Sequence, residues 1–380
     1  MMNWGALRED DPQRYLSRPF EQPRNAFPAA LMRDFAASGF DFVRLTLDVG
    51  PFIQLQGGDK QALEQKLLDN IGLFHELGLG VIVDCHPVEQ VPLYSAQSIL
   101  ENLESPLFDQ YTAMISRLAS LLAGVRSGRV ALELMNEPVV RDASHRTQVF
   151  VWGAAQLVLH DAARRAAADL PLLLTGADYG GVSGLDDLDP SPFLDSNTLF
   201  SFHYYLPLAF THQGLDLGME DAPAAPYVVD LPYPYDAVPP DELAARIDAR
   251  IASDTALDAS ARAKARAHAH RILDGFLSDG WDRDLVQRDM DRVAGWADSN
   301  KIDRHRIVMG ECGATGRNAR FTGAEPVYRR RWLSDVTGLA QARGFGWSVW
   351  EINTPEFGIQ RSDDPDRIDP EIATALGMSA

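Results

Sequence analysis

Cysteine is scarce in this sequence. Only Cys85 and Cys312 occur in 380 residues, too few for a disulfide framework or a closed structural zinc site. Free cysteine usually behaves as a small hydrophobe, so both read as buried thiols. Positive charge is also in deficit. Thirty-five Lys and Arg against 54 Asp and Glu leave a formal net charge of −19. Such a field repels phosphate backbones and argues against nucleic acid as a partner. It disfavours strongly anionic polymers too, so a neutral substrate fits most easily. No apolar run approaches the roughly 20 residues of a membrane span. No G-x-G-x-x-G follows a first strand, which removes the usual signal of a dinucleotide fold. Residues 1–11 lack a basic stretch followed by an apolar one, so no signal peptide is read there. That leaves either an intracellular protein or one whose leader has been removed.

What is present is the balance of a soluble globular protein, 46% hydrophobic and 23% charged. Short apolar runs alternate with longer amphipathic ones. Residues 41–47 (DFVRLTL), 79–85 (LGVIVDC) and 129–135 (RVALELM) read as strands, as do 172–175, 198–203, 306–309 and 344–349. The continuous apolar centre of LGVIVDC suits a strand buried on both faces. Residues 59–77, 108–125, 147–168 and 327–342 carry apolar side chains at helical spacing. Strand and helix in alternation imply a parallel sheet. With a short eighth strand around residues 2–7, the pattern predicts an α/β protein, a (β/α)8 TIM barrel, as one domain over residues 1–380. One stretch departs from the rhythm. Residues 214–240 are rich in proline, and 241–277 are rich in Ala and Arg and read as helical. Residues 214–277 are therefore expected to be a helical insertion on the loop after the sixth strand, forming a lid or a wall of the cleft.

In a barrel of this kind, catalytic groups stand at the C-terminal ends of strands. The polar residues at those ends are Arg44 and Asp48, Asp84 and His86, Asn136 and Glu137, His203 and Tyr205, Glu311, and Trp350. Two glutamates on well-separated strands meet the need of glycosidic bond cleavage. One carboxyl is protonated and supplies the leaving oxygen; the other is ionised and attacks the anomeric carbon or activates water. The rest fall into supporting roles. Arg44 can hold Glu311 ionised, and Tyr205 can hydrogen-bond it. Asn136 suits a sugar 2-hydroxyl, and His86 and His203 can bind hydroxyls or orient the acid. Trp350 offers a flat face to a sugar ring. Tyr179, His212 and Gln213 lie on loops from which they could touch substrate. Asp84 and His86 do not make a metal site by themselves, and no His-x-His stands on the first strand. The run Arg329-Arg330-Arg331 reads as a solvated helix face.

Those residues carry a resemblance. Leu134-Met135-Asn136-Glu137-Pro138 resembles the "NEP" motif of glycoside hydrolase family 5, the cellulase-type retaining glycosidases. Gly310-Glu311-Cys312-Gly313 resembles the nucleophile segment at the end of that family's seventh strand, and His203-Tyr204-Tyr205 is similar to its His-x-Tyr on the sixth. Arg44, His86 and Trp350 fall where the family carries an arginine, a histidine and a tryptophan. Each piece is weak alone; six in order, each at a predicted strand end, are specific. Phe210-Thr211-His212-Gln213-Gly214 resembles a loop of some bacterial members, although the tryptophan that follows there is missing here.

The resemblance implies a barrel, retention of anomeric configuration, no cofactor, and an oligo- or polysaccharide substrate of the β-glucan or mannan type; no metal is expected, since the residues offer no ligand cluster. It assigns acid/base to Glu137 and nucleophile to Glu311, with Arg44, His86, Asn136, His203, Tyr205 and Trp350 on the substrate. It also implies a secreted or periplasmic protein if a leader was removed. A carbohydrate-binding barrel without turnover and a transglycosylase using the same residues are the alternatives. Sugar, linkage, endo or exo action and oligomeric state are not legible at this level.

Overall fold

The computed structural model describes residues 6–22, 27–125, 128–217, 222–317 and 321–379. Its described residues fall into two compact units. One comprises Met1–His203 with Val293–Gly310, and the other Tyr204–Arg292 with Glu311–Ala380.

Seven strands are described: β1 (Phe42–Asp48), β2 (Gly80–His86), β3 (Val130–Glu133), β4 (Leu172–Thr175), β5 (Thr198–Tyr204), β6 (Ile307–Cys312) and β7 (Gly346–Trp347). Their order along the sheet follows chain order, and β1 to β5 pair in parallel. Parallel neighbours require crossovers, which the helices supply. The longer helices are α1 (Ala29–Ala37), which precedes β1, and then α2 (Gly57–Glu76), α3 (Pro106–Ala123), α4 (His145–Ala166), α5 (Pro240–Ser253), α6 (Ala259–Asp279), α7 (Arg283–Ser299) and α8 (Pro326–Gln341), with shorter turns between. The expected N-terminal strand lies mostly outside the described residues, since 2–5 are not among them; Leu7 makes an isolated antiparallel bridge to Tyr15. The helical stretch expected from 241 to 277 is two helices, α5 and α6.

Local sequence explains the boundaries. Ser105 caps α3 by accepting from the Phe108 amide at 3.2 Å, with Pro106 at the first helical position. Ser144 caps α4 in the same way through the Thr147 amide. The inner face of α4 buries Trp152, Ala155, Leu159, Ala162 and Ala163. Trp152 Nε1 and Gln156 Nε2 both donate to the Thr175 carbonyl, at 2.7 and 2.8 Å, and so fasten the helix to the end of β4. Residues 129–135 narrow to a strand of four because Leu134 and Met135 already lead into the turn carrying Asn136, whose amide donates to the Cys85 carbonyl at 2.8 Å.

Strand periodicity sorts the first unit's side chains into layers. Ile82, Ala131, Leu173 and Val308 form an apolar layer, with Phe42 and Leu199 packed against it. Two residues further along the strands, the same face carries Arg44, Asp84, Glu133, Ser201 and Gly310. The apolar layer is thus the floor on which a polar layer stands.

In the second unit, Tyr204, Phe210, Tyr233 and Trp332 form an aromatic cluster. Here one expectation fails. Arg329 is not on a solvated face but only 8% exposed. Its guanidinium donates to the carbonyls of Ala314 (2.8 Å), Phe357 (2.6 Å) and Gly358 (3.1 Å), which offsets its loss of water. Burial pushes its pKa down to about 10. Both cysteines are buried and unbridged. Among the described residues no helix is long and apolar enough to cross a membrane.

The loop after β4 depends on close backbone contact. A Cβ on Gly184 would stand 1.9 Å from the Ala177 carbonyl oxygen. Gly184→Ala is therefore expected to lose about 3 kcal/mol in urea denaturation followed by circular dichroism. An unchanged midpoint would mean that the loop shifts without cost.

Candidate active site

The expected site residues divide between the two units, and each group has its own hydrogen-bond logic. In the first, Arg44 projects from β1. Its Nε and Nη2 donate to the two Glu133 carboxylate oxygens at 2.6 and 2.9 Å. Nη2 also lies 3.1 Å from Asp84 Oδ2 and donates to Asn136 Oδ1 at 2.8 Å. The register explains the meeting, because Asp84 and Glu133 are direct partners on β2 and β3. The Arg44 side chain is 4% exposed and both acids are fully buried. Burial pushes the Glu133 carboxyl up and Asp84 adds to that, while Arg44 opposes both.

The chain of bonds has one consistent direction. Asn136 turns its carbonyl to Arg44, so its amide nitrogen faces His86 Nε2 at 3.1 Å and must donate there. His86 Nε2 is then the acceptor, the proton sits on Nδ1, and Nδ1 donates to Asp84 Oδ2 at 2.7 Å. This tautomer follows from the network. It leaves the second amide N–H of Asn136 available.

Glu137 comes next in the chain. Its backbone is in the left-handed region at φ 42°, a conformation that costs a residue with a side chain roughly 1–3 kcal/mol and concentrates at functional sites. The carboxyl is 32% exposed and its Oε1 lies 2.9 Å from His203 Nδ1. His203 ends the inward row of β5. Gly310, its neighbour on β6, leaves it room, since a Cβ there would meet Ser201 Oγ at 2.5 Å and His203 Nε2 at 3.2 Å. His86, Val88, Asn136, Glu137 and Val139 line a cleft of about 140 Å³ whose rim is Tyr179. Asp178 and Tyr179 hold left-handed backbone there, at φ 56° and 58°.

In the second unit, Glu311 near the end of β6 is 5% exposed and accepts from the Tyr205 hydroxyl at 2.8 Å. Tyr205 is packed edge-on against His212, with ring centres 5.1 Å apart, and against Phe357 at 6.3 Å. The Thr211 hydroxyl donates to the Tyr205 carbonyl at 2.6 Å, so it accepts from His212 Nδ1 at 2.9 Å. Desolvation pushes the His212 pKa down to about 4, with Glu311 opposing. Trp350, half-buried, donates its amide to the Cys312 carbonyl at 2.8 Å. Gln213 is fully buried and spends its amide on backbone, donating to the Phe210 carbonyl and accepting from the Leu231 amide, both at 2.9 Å.

Comparison with known proteins decides the family. The sequence profile of Cellulase (glycosyl hydrolase family 5) matches residues 22–356. This chain belongs to glycosyl hydrolase family 5. As a member it is an O-glycosyl hydrolase. Endoglucanase C of Acetivibrio thermocellus is 26% identical over 348 residues, 86% of this chain and 84% of that one. Endoglucanase 3 of Fibrobacter succinogenes is 33% identical over 104 residues, 27% of this chain and only 14% of that relative's own length. Among solved structures, Thermotoga maritima Cel5A in complex with cellobiose aligns with a TM-score of 0.65 at 17% identity, over 95% of this chain and 94% of that one. The fold class is therefore the family's (β/α)8 barrel.

Within this family 5 chain, sequence reasoning passed over Glu133 and Phe357 and gave Asp84 no role. The signal for Glu133 was present: an acid in the middle of the apolar strand VALE, in register with Asp84. Phe357 lies in a turn with no periodicity to mark it.

The depressed His212 pKa has a stability consequence. The unfolded side chain titrates near 6.5 and the folded one near 4, so in that window the unfolded chain binds the extra proton. The contribution is fully present above pH 6.5 and is lost as pH falls towards 4. Wild type is expected to lose about 2–3 kcal/mol more than His212→Asn between pH 7 and 4.5 in chemical denaturation. Parallel losses would place a titrating His212 in water.

Proposed function

We propose that this protein hydrolyses β-linked glycans of the glucan or mannan type with retention, Glu137 acting as general acid/base and Glu311 as nucleophile. The observation that carries the reading is that each glutamate has the partner its role requires. Glu137 Oε1 faces His203 Nδ1 at 2.9 Å, which orients the carboxyl, and its 32% exposure keeps it accessible to a leaving group. The Tyr205 hydroxyl donates to Glu311 Oε2, which favours the ionised carboxylate that a nucleophile needs. Family membership and the likeness to endoglucanase C support a β-glycan substrate, and a net charge of −19 favours a neutral one.

In the first step the Glu137 carboxyl protonates the glycosidic oxygen while Glu311 bonds to the anomeric carbon and the leaving sugar departs. In the second, the Glu137 carboxylate removes a proton from water, which attacks the same carbon and releases Glu311. The second amide N–H of Asn136 suits the sugar 2-hydroxyl, a bond that tightens at the transition state. Arg44 and His86 hold that amide in orientation, and Trp350 supplies a ring face. The scheme uses no cofactor.

Proton NMR of the first product released from a soluble β-glucan or β-mannan should show the β-anomer; an initial α-anomer would sink the retaining assignment. Glu311→Ala should abolish turnover. Glu137→Gln should lose about 10²–10⁴-fold on glycans but far less on aryl glycosides with activated leaving groups. Equal losses on both substrates would remove the general-acid role.

A further inference from the structure

The outer face of α4 is apolar where a solvated helix would be polar. Phe150 is 76% exposed, Leu157 45% and Val158 44%, with Leu194 alongside at 50%. Phe150 stands beside a cavity of about 170 Å³ whose lining is mainly apolar, with Val149, Trp152, Leu157 and Phe193, and includes Asp187 and Asp189. A protruding ring next to an apolar hollow on one surface is the arrangement that two identical faces satisfy mutually.

The helix sequence supplies a register. Arg146, Phe150, Gly153, Ala154, Leu157 and Asp161 form one stripe at spacings of three and four. Two such helices placed antiparallel about a two-fold axis between Gly153 and Ala154 set Phe150 of one copy opposite Leu157 of the other. The same operation sets Arg146 opposite Asp161, twice. The small residues fall at the crossing, where they let the helix axes approach. Asp161 pairs with Arg165 on its own helix, and Arg146 of the second copy would join that pair. The stripe is electrically balanced, with one arginine and one aspartate, in a chain whose net charge of −19 otherwise opposes self-association. We propose that the protein forms a two-fold symmetric dimer through α4, with Phe150 of each copy seated against the Gly153–Leu157 side of the other.

Sedimentation velocity on the whole chain tests this across about 1–100 µM. Wild type should reach twice the chain mass. Phe150→Asp should remain monomeric over the range with an unchanged far-UV circular dichroism spectrum and an unchanged kcat/KM on an aryl glycoside. Asp161→Arg should weaken the dimer at least about tenfold, and adding Arg146→Asp should restore it to within about threefold. A wild type that stays monomeric, or a dimer indifferent to Phe150→Asp, would overturn the proposal. Failure of the double charge reversal to restore assembly would overturn the antiparallel register. A soluble β-glucan retarding monomeric wild type but not Phe150→Asp in affinity electrophoresis would reassign the face to glycan binding.

Discussion

The grip of Arg44 on Glu133 and Asp84 is the constraint on which the first group of site residues depends. Two buried carboxylates on adjacent strands cannot both be accommodated without a cation between them, and a buried guanidinium cannot stand without acceptors. Each group therefore requires the others, and the three lock β1, β2 and β3 together at the layer just above the apolar floor. Removing one partner of such a set typically costs about 3–5 kcal/mol, because the remaining charge is left buried and unmatched. The apolar layer of Ile82, Ala131, Leu173 and Val308 supplies stability, while this polar layer supplies orientation.

Orientation is then passed outward through donors and acceptors that have only one consistent assignment. Arg44 turns the Asn136 amide, Asn136 sets the His86 tautomer, and Asp84 accepts the remaining His86 proton. The chain bends sharply straight after Asn136, with Glu137 in left-handed backbone, and His203 meets its carboxyl. Local strain at Glu137 persists because the residues before it are held so firmly. Glu311 accepts from a phenol whose own position is set by edge-on contacts to His212 and Phe357. Glu137 keeps partial exposure to solvent, and Glu311 is nearly buried.

Helix α4 has two jobs with opposite requirements. Its inner face follows the ordinary rule, burying Trp152, Ala155 and Leu159 against the sheet. Its outer face keeps Phe150 and Leu157 exposed. Hydropathy periodicity reports the inner face well and averages the outer one away, so the unusual surface emerges only from exposure.

The alternation of apolar runs and amphipathic stretches located all seven described strands and the helices α2, α3, α4 and α8, because burial on both faces of a parallel sheet leaves a local mark. Asn136, Glu137, His203, Tyr205 and Glu311 were legible for a similar reason: a polar residue straight after a buried strand stands out. Glu133 and Arg329 were misjudged or missed because each is a charged group inside the protein, and what makes that tolerable is a partner far away in the chain. Glu133 needs Arg44, 89 residues distant, and Arg329 needs carbonyls from two separate loops. The sequence by itself determined the order of elements and the chemical types at the strand ends, since these rest on local patterning. Tertiary structure alone decided which charges pair, which tautomer His86 adopts and which face of α4 stays open, since hydrogen-bond geometry and exposure exist only once distant segments have met.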